Sequence, residues 1–232
     1  MTVRRYVREV KAKHGMDAPG AYLILEPNCG QEAEADWGEA IAIMKGVRTP
    51  IHFFCMRPRF SGKPFVRAYP CERQQAFFDA HIHAFDFFGG VFPTLIYDNL
   101  KSAVEKVLTG KDRIEQDAFR RIKAYYSFEA RFCNPGSANE KGGVEGLIGY
   151  VKRNFLVPVP VVESFAELNE HLLGACLRHG SYCMQGRTEN IESLFEKEKD
   201  RLIPLPSLPL ANIALLEAKV NKYSTVVVDR NR

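Results

Sequence analysis

The sequence predicts an α/β protein: a mixed five-stranded sheet flanked by helices, with a helical C-terminal extension. Three observations carry that expectation. Strand-like runs with short breaks follow one another between residues 32 and 69. Helical periodicity takes over at residue 72. Two further short, apolar, β-prone segments then alternate with helices.

Taken in order, Pro27-Asn28-Cys29-Gly30 is a turn signal. Glu32 to Met44, Ile51 to Met56 and Pro64 to Tyr69 read as three strands. Arg48-Thr49-Pro50 and Ser61-Gly62-Lys63 break them, and such short connections imply an antiparallel meander. Glu72 to Phe88 puts Ala76, Phe77, Ala80, Ala84, Phe85 and Phe88 on one helical face, and Gly89-Gly90 stops it. Phe92 to Tyr97 is a strand ending in Asp98-Asn99. Asp112 to Tyr126 is a helix and Phe128 to Cys133 a short strand. A helix runs from about Asn139 to Phe155, closed by Val157-Pro158-Val159-Pro160. Residues 164–182 and 189–199 are helical, 204–209 form a proline-punctuated linker, and 218–229 end in a β-branched strand without a partner after it, so the chain reads as truncated or paired elsewhere.

Composition narrows the function classes. The 232 residues are 46% hydrophobic and 26% charged, with a formal net charge of +4. That excludes a disordered, collagen-like or disulfide-only chain. No apolar run is long enough to cross a membrane, and the basic start lacks the apolar stretch of a secretory signal. The six cysteines show no CxxC pair, which favours reduced, mostly buried thiols in a cytosol. His171, Cys176, His179 and Cys183 crowd together, but helical geometry over 164–182 scatters them too widely for one zinc ion.

Three carboxylates carry the chemistry. Asp36 lies within the first strand beside Trp37, Asp98 closes the Phe92–Tyr97 strand, and Glu145 sits on the helix after Gly142-Gly143-Val144. An acid at the end of an apolar strand points to the crevice where α/β sheets host ligands, and a helical glutamate can reach the same place. Three oxygen donors match hard cations such as Mg²⁺, with Mn²⁺ as a substitute. Such ions serve in-line phosphodiester chemistry without a protein nucleophile. Any one of these acids alone reads equally well as a turn former or an exposed helical residue. Glu34, Glu39 and Glu140 are decoys beside them.

Glu34-Ala35-Asp36-Trp37-Gly38-Glu39, Ile96-Tyr97-Asp98-Asn99-Leu100-Lys101-Ser102-Ala103-Val104 and Asn139-Glu140-Lys141-Gly142-Gly143-Val144-Glu145 with Tyr150-Val151-Lys152-Arg153-Asn154-Phe155 resemble the DDE motif of the retroviral-integrase superfamily. Within it they look most like the IS21-type (IstA) transposases. The resemblance implies an RNase H-like integrase catalytic core over residues 28–160, preceded by an arm at 1–27. A helical extension at 161–203 follows, and 204–232 would be a linker and the start of a truncated C-terminal β-barrel. It further implies that Asp36, Asp98 and Glu145 hold two Mg²⁺ ions for DNA 3′-end cleavage and strand transfer, on transposon ends and target DNA. A homo-oligomer and an ATP-dependent helper protein are the implied partners. The chain departs from the family in lacking an N-terminal helix-turn-helix, and Gly143 stands where a basic residue is usual. Two other readings stay open: a catalytically inactive DNA-binding or assembly fragment, and a Mg²⁺-dependent nuclease of the same fold.

Charge is uneven. Residues 40–73 hold seven cations against one anion, Glu72. Arg59 and Lys63 lie on a predicted hairpin tip, and Lys141 and Lys152 share a helix side with Glu145, next to Arg153. These five, with Asn99 and Asn139 flanking the carboxylates, are the candidate DNA contacts. Trp37 is expected to pack beside the first strand, and the Phe77, Phe85 and Phe88 stripe to be core.

Overall fold

The computed structural model describes residues 27–97, 113–132 and 144–208, with Tyr6, Val10 and Leu210; the side chains of 113–118 and 144–145 fall outside that description. The expected arm, the final strand at 218–229, and the segments 98–112 and 133–143 also lie outside it. Asp98, Asn99, Asn139 and Lys141 are among them.

The strands are β1 (Glu32–Met44), β2 (Val47–Pro58), β3 (Phe65–Tyr69), β4 (Thr94–Tyr97), β5 (Glu129–Phe132) and β6 (Val161–Val162). The helices are α1 (Gln74–Phe88), α2 (Arg113–Tyr126), α3 (Val144–Phe155), α4 (Phe165–His179) and α5 (Ile191–Lys199). The sheet order is β3-β2-β1-β4-β5. β1, β2 and β3 form the expected antiparallel meander, whereas β4 runs parallel to β1 and β5 parallel to β4. The sheet gains a sixth short strand: β6 pairs with Ile43 and Met44 at the far end of β1. Two residues directly after a proline-punctuated stretch carry too little pattern for a sequence to announce a strand.

Alternation along β1 divides the molecule into layers. Ala33 and Ala35 face a core built with Phe77, Phe85 and Phe88 of α1, Phe119 and Ile122 of α2, and Phe195 of α5. The stripe of phenylalanines is core, as its spacing predicts. On the opposite face Ala42 joins Phe53 and Cys55 of β2, Leu147 and Val151 of α3, and Leu168 and Leu172 of α4. Helices on both faces therefore cover the sheet, as a mixed sheet demands. Trp37 packs edge-on against Phe54 and tilts onto Tyr69, with ring centroids 5.6 Å apart in both pairs.

Local signals set the helix ends. Gly89 at the end of α1 takes φ 69°, a left-handed conformation that closes the helix on Phe85 and Asp86 carbonyls. Ser164 caps α4 by accepting from the Glu167 amide at 3.2 Å, while the Glu167 carboxylate accepts from the Glu163 amide at 2.7 Å. Asn190 caps α5 through the Ser193 amide.

The described residues beyond 160 pack into the same sheet and cores. Val91 and Ile203 form a two-way backbone bridge. Gly30 donates its amide to Oε1 of the buried Glu198, whose carboxyl pKa burial pushes up.

One buried polar pair fixes the end of β4. His81 of α1 is fully buried, with Nδ1 2.7 Å from the Phe77 carbonyl and Nε2 2.8 Å from the Tyr97 hydroxyl. A carbonyl only accepts, so Nδ1 carries the proton and Tyr97 donates to Nε2. Burial lowers the His81 pKa to about 4, against about 6.5 in an unfolded chain. Between those values the unfolded state binds the extra proton, so this contribution is intact above about pH 6.5 and is lost as pH falls toward about 4. Urea midpoints measured from pH 7 to 4.5 should therefore fall more steeply for the wild type than for His81→Gln. Parallel curves would remove His81 as the cause.

Candidate nucleic-acid interface

Asp36 is the one predicted carboxylate whose side chain is described. It lies mid-strand on β1, half-buried, opposite Cys55 of β2. Its Oδ1 accepts from the Trp37 amide at 2.8 Å. The β1–β2 register runs unbroken from Ala33 to Met44, so the two-residue period places Asp36 on the face of Ala42, under α3 and α4. Cys55 beside it is fully buried. Burial, then Cys176, then the Asp36 charge push its thiol pKa well up, which makes it an inert packing group.

The parallel register of β1 and β4 ends with Ala35 opposite Tyr97. These are the residues immediately before Asp36 and Asp98. The backbone of Glu145 lies in the first turn of α3, and α3 is anchored on the Asp36 face by Leu147 and Val151. Lys152 and Arg153 are exposed in its last turn.

A cavity of about 440 Å³ opens on the same side, lined among others by Glu34, Arg57, Arg59, Tyr150, His179 and Tyr182. Glu34 is two residues from Asp36 on β1, about 7 Å along a strand. The Tyr150 hydroxyl meets His179 Nδ1 at 3.1 Å, and the His179 ring stacks on Tyr182 at 5.4 Å. Burial, then the Arg57 charge, lower the His179 pKa. This aromatic and cationic lining joins residues more than a hundred positions apart, and no local motif announces it.

The basic residues of the β2–β3 connection are placed differently from expectation. Lys63 is 5% exposed. Its Nζ lies 2.7 Å from Glu192 Oε1 and over the Phe195 and Phe87 rings, 4.3 and 5.3 Å from their centroids. The hairpin tip is covered by the α4–α5 region, where the Met184 sulfur sits over Gly62, so Lys63 is an internal tether and the expected phosphate contact is not available there. Arg59 is partly exposed, with its guanidinium held by Glu32 at 3.0 Å and Glu34 at 3.2 Å. Glu34, a decoy for the first carboxylate, is buried and also pairs with Arg57 at 3.1 Å. Glu39 falls on the other face of β1.

No protein-family model matches the chain. It is 33% identical over 214 residues to a transposase of Aminobacter aminovorans, an alignment covering 92% of this chain and 42% of that protein. It is 30% identical over 228 residues to the transposase for insertion sequences IS1326/IS1353 of Pseudomonas aeruginosa, covering 92% and 44%. To the IS21 transposase of Pseudomonas aeruginosa it is 32% identical over 177 residues, covering 75% and 45%. The chain thus spans less than half the length of these curated relatives. Among solved structures it is similar to a chain of the simian T-cell lymphotropic virus intasome, with a TM-score of 0.54 and 13% identity. That match covers 94% of this chain and 74% of the other. The mixed sheet with helices on both faces is the RNase H-like fold that the chain shares with that intasome chain, and the sequence is similar to those of IS21-type transposases over most of its length.

Proposed function

We propose that the chain is the catalytic core of a DNA transposase, cleaving DNA 3′ ends and joining them to target DNA, with Asp36, Asp98 and Glu145 as its carboxylates. The observation that supports the proposal is the β1–β4 register: Ala35 stands opposite Tyr97, and these are the residues that immediately precede Asp36 and Asp98 in the sequence. The start of α3 on the Asp36 face supports Glu145 as the third.

The donor set fits hard cations. Three carboxylates without sulfur or imidazole are the ligands Mg²⁺ and Mn²⁺ take. Bound there, such ions supply activation of the attacking hydroxyl and stabilisation of the leaving oxygen. The chain's own residues hold the geometry. Asp36 is fixed by central strand β1 and its bond to the Trp37 amide, and Tyr97 is held by His81. Lys152 and Arg153 present cations to the phosphate backbone, and Lys141, Asn99 and Asn139 are the further contacts that the sequence suggests. Assembly as a homo-oligomer on DNA ends, and action with an ATP-dependent helper, complete the reading by resemblance to the family.

The test is incubation with duplexes bearing cognate insertion-sequence ends and a plasmid target in Mg²⁺. Nicking followed by end joining is expected. Hydrolysis without joining would favour a nuclease, and DNA binding without either in Mg²⁺ or Mn²⁺ would favour an assembly fragment. Salt titrations separate the cations. Lys152→Ala and Arg153→Ala should each reduce the slope of log affinity against log salt by about 0.9, whereas Lys63→Met should leave it unchanged. A slope lowered by Lys63→Met would return that residue to the DNA surface.

A further inference from the structure

Among the described residues, one group of three could hold a metal ion: Glu39, His52 and Glu72, each bringing a ligand atom within 4.8 Å of the others. We propose that this trio is a transition-metal site of the zinc class, separate from the catalytic carboxylates and clipping three chain segments together.

The scaffold is rigid. Glu39 on β1 and His52 on β2 are direct cross-strand partners, and His52 also pairs with Tyr69 of β3. Glu72 follows three residues later, just before α1 begins at Gln74. His52 Nδ1 lies 3.0 Å from Glu72 Oε1 and 4.0 Å from Glu39 Oε1. Ligand atoms about 2.0–2.1 Å from a tetrahedral zinc ion stand roughly 3.3 Å apart. The two separations from His52 bracket that value and the two carboxylates lie within 4.8 Å of each other, so a side-chain rotation of the exposed Glu39 by about an ångström completes three corners and leaves the fourth to water.

The donor chemistry selects the ion. Two carboxylate oxygens with one imidazole nitrogen suit Zn²⁺ and its first-row neighbours, whereas Mg²⁺ prefers oxygen alone. The site is open: the side chains of Glu39, His52 and Glu72 are 77%, 27% and 33% exposed. An incoming ion therefore keeps part of its hydration and binds the imidazole through its Nδ1 lone pair, in the tautomer that carries the proton on Nε2. Glu39 is three residues from Asp36 on an unbroken strand, so it faces the opposite side of the sheet, about 10 Å along it. The two sites cannot share an ion.

The experiment is a Zn²⁺ titration of the metal-stripped protein in excess Mg²⁺, read by calorimetry and by thermal melting. One equivalent should bind and raise Tm by about 5 °C at saturation. His52→Ala and the exposed substitution Glu39→Gln should each weaken binding at least tenfold, and Asp36→Asn should leave it intact. No zinc-dependent shift in the wild type would overturn the proposal. So would undiminished binding in both variants, or loss of binding in Asp36→Asn.

Discussion

Asp36→Asn should reduce Mg²⁺-dependent nicking and joining by a thousandfold or more while leaving Tm within about 2 °C of the wild type. The asymmetry follows from where the carboxylate sits. Asparagine keeps an oxygen at Oδ1 to accept from the Trp37 amide, so the local hydrogen bond and the strand survive. The change removes the negative charge that a hard cation requires. A loss of about a thousandfold corresponds to about 4 kcal/mol of transition-state stabilisation, well within what a metal ligand supplies in two-metal chemistry. Asp98→Asn and Glu145→Gln should behave alike, and the three losses should not add, because the carboxylates act as a unit. Gel assays of end cleavage and joining, run beside thermal melts, check this. A fully active Asp36→Asn would sink the assignment.

The second large effect concerns packing beside that carboxylate. Gly38 lies two residues beyond Asp36 on β1, opposite Phe53, and a Cβ added there would come 2.4 Å from the Phe53 ring. Phe53 is fully buried in the core under α3 and α4, so its ring has little room to retreat. Gly38→Ala should cost about 1–3 kcal/mol by overpacking, and Phe53→Leu should cost less than the about 3–5 kcal/mol of a full truncation to alanine, because it leaves a smaller cavity. The informative variant is the double substitution Gly38→Ala with Phe53→Leu. It should be more stable than the sum of the two single losses predicts, because the smaller side chain gives the new methyl space. Urea unfolding of the four proteins measures the coupling, and strict additivity would show that the ring and the strand do not compete for the same volume.

Much of this architecture is legible in the sequence because it is written in short-range patterns. The break at residues 61–63, the phenylalanine stripe of α1 and the stop at Gly89 each encode a local decision, whereas the break expected at 48–50 lies inside β2 and the chain turns instead at Lys45-Gly46. The position of Asp36 within the first strand is legible for the same reason. What cannot be read locally is what later helices cover. Lys63 stands in a basic hairpin segment that looks solvent-facing until Glu192 and Phe195, well over a hundred residues later, close over it. Glu39, His52 and Glu72 look like three unrelated polar residues until strand register aligns the first two. The wall formed by Tyr150, His179 and Tyr182 is invisible for the same reason: it depends on how α3 and α4 are set against β2.

The return of the chain to its own beginning bears on how this protein is made. Glu198 holds Gly30 at the entrance to β1, and Ile203 closes on Val91 ahead of β4. A nascent chain stopped near residue 160 would carry all five principal strands, yet still lack these clasps and the side chains of α4 and α5 that dry both cores. Native structure should therefore be acquired late in synthesis, as one cooperative event dominated by sequence-distant contacts. Ribosome-bound chains of increasing length should stay protease-sensitive until about residue 203 has cleared the exit tunnel.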